Sequence, residues 1–135
     1  MNGLVFNVIS PDAERFLVAV RGELWWPEAE HLWHRLDTLI NRGVLVVLDL
    51  RNVEALDSSG IRTLLLAQRA AAQRGATLRL AGAGEPLIRL LARGGVDDLF
   101  DIRPDPGTAL VDHDDDAAPR GGNTAAQYRN QADEQ

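Results

Sequence analysis

The sequence feature that most constrains the fold is the run at residues 44–50, in which one aspartate interrupts six aliphatic side chains. Nearly continuous aliphatic sequence of this length is typical of a strand that is covered on both faces. A strongly helix-forming segment, residues 61–74, follows it, and a second aliphatic run lies at residues 77–81. Because parallel strands need a crossover connection, the pattern predicts a β-α-β unit with two parallel central strands.

The segments around this unit extend the pattern at both ends. Residues 4–9 and 16–20 have strand composition, and the intervening Ser-Pro-Asp-Ala-Glu favours a turn, which predicts a hairpin. A helix is expected from Pro27, at the first helical position, to a stop at Gly43. A short helix before Gly94 and a last strand around residues 99–102 complete the order β-β-α-β-α-β-α-(β). This alternation predicts an α/β sandwich with one mixed sheet.

The chain divides into a predicted domain, residues 1–111, and an acidic tail, residues 112–135. The tail contains six of the acidic side chains and two arginines, and it therefore contributes −4 of the net charge of −6. It has almost no large apolar side chains to offset the entropy of ordering, so it is expected to be disordered.

Composition excludes several classes of function. The absence of cysteine excludes a disulfide scaffold, an iron–sulfur cluster and a cysteine-ligated zinc site, and it fits a reducing cytoplasm. The N-terminal residues lack a basic start and a long apolar run, so neither a signal peptide nor membrane insertion is expected. The acidic balance leaves no basic patch for direct nucleic-acid binding.

The segment between the buried strand and the following helix, Leu56-Asp57-Ser58-Ser59-Gly60, has two interpretations. In the first, a serine caps the helix by accepting a hydrogen bond from a free amide, and Gly60 allows a tight turn. In the second, a serine hydroxyl at this turn accepts a phosphoryl group, which adds charge where a partner docks. Local sequence alone leaves both interpretations open.

Residues 4–111 resemble a STAS domain, and in particular the small stand-alone anti-sigma-factor antagonists. The resemblance depends on Gly22-Glu23-Leu24, on Val44–Leu50 followed by Asp57-Ser58-Ser59-Gly60-Ile61, and on residues 75–102 with their leucine, glycine, aspartate and phenylalanine ending. It implies a STAS-like sandwich whose helices pack mainly on one face of a mixed sheet. It also implies a cytoplasmic regulatory binding protein rather than an enzyme, without a cofactor of its own.

The resemblance further implies a phosphorylation switch. Antagonists of this family are phosphorylated on the first serine of the motif by a kinase that is also the anti-sigma factor, and only the unphosphorylated form binds it. Carried over to this chain, the phosphoacceptor is Ser58, and Asp57, Ser59 and Gly60 belong to the partner-binding surface. ATP and Mg²⁺ would belong to the kinase, and a phosphatase would reverse the modification. Arg62, one turn into the helix, either contacts the partner or is solvated.

One position departs from the family pattern. Many members have an aspartate directly after the Gly-Glu-Leu step, whereas this chain has Trp25, followed by Trp26. The two rings either pack over the first helix or provide an aromatic anchor for a partner, and Trp25 is assigned to the partner-binding surface. Since two adjacent bulky rings cannot both point into one small core, at least one is expected to be exposed.

The other motifs in the sequence are weaker indications of function. His31 and His34 have helical spacing but lack a third metal ligand, and surface histidines explain them better. Gly82-Ala83-Gly84 begins like a dinucleotide fingerprint, but Leu87 stands where the last glycine belongs, which favours a tight turn. A serine hydrolase is not expected, because residues 56–60 are one glycine short of the G-x-S-x-G motif, the chain is short for that fold, and no base is apparent to activate Ser58.

Two alternatives to the antagonist interpretation stay open. In one, the domain is an interaction subunit of a lipid-transport or signalling complex, and the same surface docks constitutively without phosphorylation. In the other, it binds GTP, which has been linked to some STAS domains. The sequence contains no phosphate-binding loop that would support the second.

Overall fold

The computed structural model of the chain describes residues 4–111. Its elements are β1 (Val5–Asp12), β2 (Arg15–Leu24), α1 (Glu28–Leu39), β3 (Leu45–Leu56), α2 (Ser58–Arg74), β4 (Thr77–Ala81), α3 (Glu85–Arg93), a 3-10 turn (Asp97–Leu99), β5 (Asp101–Arg103) and α4 (Pro106–Val111). The predicted tail, residues 112–135, lies outside the described residues, so its disorder and the boundary at 111 stay predictions.

The five strands form one mixed sheet in sequence order, β1-β2-β3-β4-β5. β1 pairs antiparallel with β2, which confirms the predicted hairpin, and β2, β3, β4 and β5 run parallel to one another. The predicted parallel pairing of the two central strands is therefore confirmed. Because parallel strands all end at the same edge of a sheet, the segments that follow β2, β3 and β4 meet at one edge, here called the carboxyl edge.

The helices pack mainly on one face of the sheet, as expected. Inward-facing side chains of α1, α2 and α3, such as Leu36, Leu64 and Leu91, form the main core with alternate residues of the strands. The opposite face carries a smaller cluster in which Ala109 of α4 packs against Val47 and Ala81. The near-continuous aliphatic composition of residues 44–50 has its explanation here, because β3 is covered on both sides.

β3 is longer than the apolar pattern predicts. The segment predicted as a loop after residue 50 continues as strand to Leu56, and β2 likewise continues past residue 20 to Leu24. These extensions pair with each other, from Arg21 opposite Asn52 to Leu24 opposite Leu56, with one shift of register just before Arg21 and another between Gly22 and Glu23. The polar residues of this segment favour a loop, but pairing with a strand that is distant in sequence makes the segment a strand.

α4 was not predicted from sequence, and tertiary contacts explain why this short helix forms. At its start Asp105 Oδ1 accepts a hydrogen bond from Thr108 N at 2.9 Å. At its end the carbonyl of Ala109 accepts from Arg79 Nη1 at 2.7 Å, and that of Leu110 accepts from Arg15 Nη1 at 3.0 Å. The helix therefore ends, at Val111, beside the edge where β2, β3 and β4 begin, opposite the carboxyl edge.

The Asp105 cap makes a testable contribution to stability at acidic pH. Its pKa lies below the ordinary value of 3.8, chiefly because the backbone N–H of Thr108 bonds the carboxylate and also because of the Thr108 side chain. A lowered folded-state pKa means that the stabilisation is complete above pH 3.8 and disappears as the pH falls through the folded value. We expect Asp105→Ala to lower the denaturation midpoint near neutral pH and the difference to shrink below pH 3.8. A pH-independent difference in urea titrations would contradict this.

Candidate functional site

The two segments singled out by sequence come together at the carboxyl edge. β2 and β3 are neighbours, and their last paired residues are Leu24 and Leu56. Trp25 therefore leaves the sheet beside Asp57, although 32 positions separate the two residues in the chain. The pairing of two parallel strands, rather than any local motif, assembles this site.

The cap of α2 is Asp57, and not a serine as the first interpretation proposed. Asp57 Oδ1 accepts hydrogen bonds from Ser59 N at 2.8 Å and from Gly60 N at 3.2 Å. Ser58 is the first residue of the helix and is exposed, and Ser59 is half-buried. Among residues 4–111 the Ser58 hydroxyl has no hydrogen-bond partner, so the cap does not account for this serine.

The Asp57 cap leads to a prediction for stability. Replacing it with alanine leaves two helix N–H groups without their acceptor, and we expect a loss of about 1 kcal/mol in the free energy of unfolding. Asp57→Asn, whose amide oxygen can also accept, should retain most of the stability and is the matched control. Urea denaturation of the three proteins measures the difference. Equal destabilisation by alanine and asparagine would indicate a role for charge instead of capping.

Gly60 has a different role from the one predicted. It lies in the first turn of α2 without a positive φ, so a tight turn does not require glycine here. An ideal Cβ at this position would lie 2.6 Å from the carbonyl oxygen of Leu24 and 2.9 Å from Cβ of Leu56. Glycine therefore lets α2 approach the end of β2, which brings the serines close to the Trp25 segment.

The aromatic pair at the end of β2 is exposed, as predicted. The exposed fraction is 42% for Trp25 and 66% for Trp26, whereas Trp33 of α1 packs against the main core. Arg62 is also exposed and makes no ion pair within the described part of the chain. The carboxyl edge thus presents two indole rings, one guanidinium and a free serine hydroxyl to solvent.

The residues of the weaker motifs lie on the surface of α1 and in a turn. His31 and His34 are exposed, and His34 Nε2 lies 4.0 Å from a carboxylate oxygen of Glu30. Between residues 4 and 111 no group of three or more potential metal-binding side chains is found. Gly82 has a φ of +70° in the turn between β4 and α3, which agrees with the turn interpretation. None of the described helices is both long enough and apolar enough to cross a membrane.

Comparisons with known proteins agree with this architecture. Residues 9–104 match the family model described as "Mlab, STAS domain". No curated protein matches the chain at the sequence level.

Solved structures share the fold at low sequence identity. An anti-sigma factor antagonist from Mycobacterium paratuberculosis is similar with a TM-score of 0.69 and 23% identity, over 80% of this chain and 92% of that one. The phosphorylated form of the Bacillus cell fate determinant SpoIIAA gives 0.64 and 17%, over 78% and 96%. A sulfate transporter family protein from Wolinella succinogenes gives 0.60 and 20%, over 76% and 85%. At these identities the similarity shows the fold.

Proposed function

Because the chain belongs to the STAS domain family, we propose that it is an anti-sigma-factor antagonist controlled by phosphorylation of Ser58. In this proposal the unphosphorylated protein binds an anti-sigma-factor serine kinase and so releases a sigma factor for transcription. The kinase supplies ATP and Mg²⁺, phosphorylates Ser58 and thereby loses its inhibitor, and a phosphatase restores the active form. The protein itself performs no catalysis.

The observation that carries the proposal is the free, exposed hydroxyl of Ser58 at the start of α2. Since Asp57 caps the helix, stability does not require a serine at position 58. A kinase can therefore modify the hydroxyl without breaking an internal hydrogen bond. Structures of SpoIIAA, which shares the fold, have been solved in the phosphorylated and the unphosphorylated form. This supports phosphorylation of the present protein.

The position of Asp57 also supports the proposal that a phosphoryl group at Ser58 acts as a switch. A phosphoserine adds roughly −1.5 to −2 charges at neutral pH. At many helix starts the free amides would offset such an anion, but here Asp57 already accepts from Ser59 N and Gly60 N. The new charge would stand beside a carboxylate and face the nucleotide phosphates that any kinase must bring to this hydroxyl. Repulsion on both sides favours release.

The surrounding residues would form the contact surface. Trp25 offers a large exposed ring at the end of β2, and Arg62 offers a cation one helical turn from Ser58. Ser59 is half-buried beside Ser58, and the buried Gly60 holds the first turn of α2 against Leu24. Exposed tryptophan and arginine are the side chains most enriched among energetically important interface residues. We assign these residues, with Asp57, to partner binding.

In a second candidate function, the same surface binds a partner but is not regulated by phosphorylation. The family description names Mlab, and a sulfate transporter family protein shares the fold. These observations favour a constitutive interaction subunit of a lipid-transport or signalling complex as the alternative. In that case Ser58 would contact its partner without being phosphorylated.

Affinity capture with mass spectrometry distinguishes the two functions. The wild-type protein and Ser58→Glu serve as baits, and the protein purified from its own cells is searched for phosphate. The antagonist function predicts that the wild type, and to a lesser extent the glutamate variant, captures a kinase-like anti-sigma factor, with phosphate on Ser58. Capture of transporter subunits by both baits, with no phosphate on any serine, would support the alternative.

A further inference from the structure

β3 has an unpaired backbone edge where it extends past its neighbour. β4 pairs with Leu45–Asp49 only, whereas β2 pairs with β3 as far as Leu56. From residue 50 onward, the side of β3 that faces away from β2 therefore has no strand beside it within the described fold. Arg51 N is satisfied by Asp49 Oδ1 at 3.1 Å. A strand edge of this kind can accept an added extended segment.

A small apolar cleft lies between this edge and α3. It measures about 180 Å³, and its apolar walls are formed by side chains of β3 and α3, namely Leu50, Val53, Leu56, Pro86, Leu87 and Leu90. Pockets for small-molecule ligands usually measure about 300–1,000 Å³, whereas an apolar cavity of about 150 Å³ holds benzene. The volume therefore fits one bulky apolar side chain and is too small for a nucleotide.

Leu90 lines the cleft without being part of the core. This leucine is half-buried on α3 and contributes to the cleft, yet it belongs to neither of the two core clusters. Its neighbour Leu87, by contrast, is part of the main core. The side chain of Leu90 is thus available to an apolar group that enters from outside.

The charged residue that lines the cleft is acidic. Glu54 lines it, is exposed, and makes no ion pair with another described residue. Asp57 follows three residues later, and Glu85 stands exposed at the start of α3, 3.7 Å from Arg89. Arg51, the nearest cation along β3, is committed to Asp49 at 2.9 Å. A segment with positive charges beside its apolar side chain would complement this surface.

We propose that the cleft is a docking site for an extended segment of the anti-sigma factor, in which a large apolar side chain is flanked by lysine or arginine. The segment would lie along the free edge of β3, with its apolar side chain against Leu90 and its cations near Glu54. This inference builds on the proposed function and adds a second contact, separate from the Ser58 hydroxyl. A contact away from the reacting hydroxyl raises the affinity of the kinase for this protein, although its residues take no part in phosphoryl transfer.

Kinetics of Ser58 phosphorylation by the captured kinase test the docking site. Leu90→Glu and Glu54→Arg should each raise KM about tenfold or more and leave kcat unchanged, because they weaken docking and not the chemical step. Leu99→Glu, an exposed leucine outside the cleft, and Glu14→Arg, in the β1–β2 turn, are matched controls that should not change KM. Thermal unfolding of every variant identifies any that fail to fold. If Leu90→Glu does not fold, Glu54→Arg still tests the docking site, because Glu54 is exposed.

The outcomes separate this inference from the proposed function. Unchanged KM in both cleft variants, with wild-type phosphorylation intact, would overturn the docking site alone. Absence of any kinase that binds or phosphorylates the wild type would overturn both. A homodimer in sedimentation that Leu90→Glu dissociates would assign the cleft to a second copy and overturn the proposal.

Cross-linking tests the chemistry of the docked segment. Since the chain contains no cysteine, Glu54→Cys gives a single attachment point for a photoactivated cross-linker. We expect the cross-linked peptide of the kinase to contain a large apolar residue next to lysine or arginine. A cross-link to an acidic or wholly polar segment would contradict the proposal.

Discussion

Phosphorylation of Ser58 is expected to weaken binding of the anti-sigma factor by about 100-fold or more, because several kcal/mol is typical of like charges brought together at an interface. The new phosphate would stand beside Asp57, whose carboxylate already takes the hydrogen bonds of Ser59 N and Gly60 N. Titration calorimetry of the phosphorylated and unphosphorylated proteins against the purified kinase, with a bound nucleotide, measures the effect. Equal affinities would contradict the switch.

Variants at the two serines refine this prediction. Ser58→Ala should abolish phosphorylation, retain binding and change stability little, because Asp57 rather than Ser58 caps α2. Ser58→Glu should weaken binding less than phosphate does, since a carboxylate has less charge and fewer oxygens. Ser59→Ala is the matched control and should leave modification of Ser58 intact. If phosphate were found on Ser59 alone, the phosphoacceptor would be Ser59 and not Ser58.

Gly60→Ala is expected to cost about 1–3 kcal/mol of stability, the usual range for overpacking a well-packed region. The added methyl group would lie 2.6 Å from the carbonyl oxygen of Leu24, which is backbone and cannot rotate away. α2 would have to move away from β2, and the serines would move with it. We therefore expect weaker partner binding in addition to a lower midpoint of urea denaturation.

Gly94→Ala provides the control for this substitution. At that position the nearest atom to a new Cβ is the carbonyl oxygen of Leu90 at 3.7 Å, an ordinary contact, and φ is −81°. A change in stability of a few tenths of a kcal/mol is expected there, as for most substitutions without a specific clash. If Gly60→Ala were as mild as Gly94→Ala, the close approach of α2 to Leu24 would not be a constraint on the fold.

The parts of the fold that sequence predicts are those determined by local hydrophobic periodicity. The aliphatic run at residues 44–50 predicts a doubly covered strand, and the structure places it in the centre of the sheet. The continuation of β3 to Leu56 was not predicted, because Arg51, Asn52 and Glu54 favour a loop and only pairing with β2 makes them strand. α4 escaped prediction for the same reason, since Arg15 and Arg79 complete it from distant positions.

The candidate site was likewise only partly predictable from the sequence. The motif at residues 57–60 could be recognised from sequence, but the role of each residue within it could not. Serine and aspartate are both favoured caps, and only the hydrogen bonds show that Asp57 has this role. The reason for glycine at position 60 lies in Leu24, which is remote in sequence. The apolar cleft beside α3 likewise depends on the different lengths of β3 and β4.

The position of α4 determines how the protein can be attached to something else. Val111 lies near Glu14, Val44 and Gly75, at the edge where the parallel strands begin, whereas Ser58 lies at the edge where they end. A resin, a fluorescent protein or a second domain joined after residue 111 would therefore project from the end of the sheet remote from the serine. Tethered in this way, the molecule would present its indole rings and hydroxyl outward, away from the anchoring support.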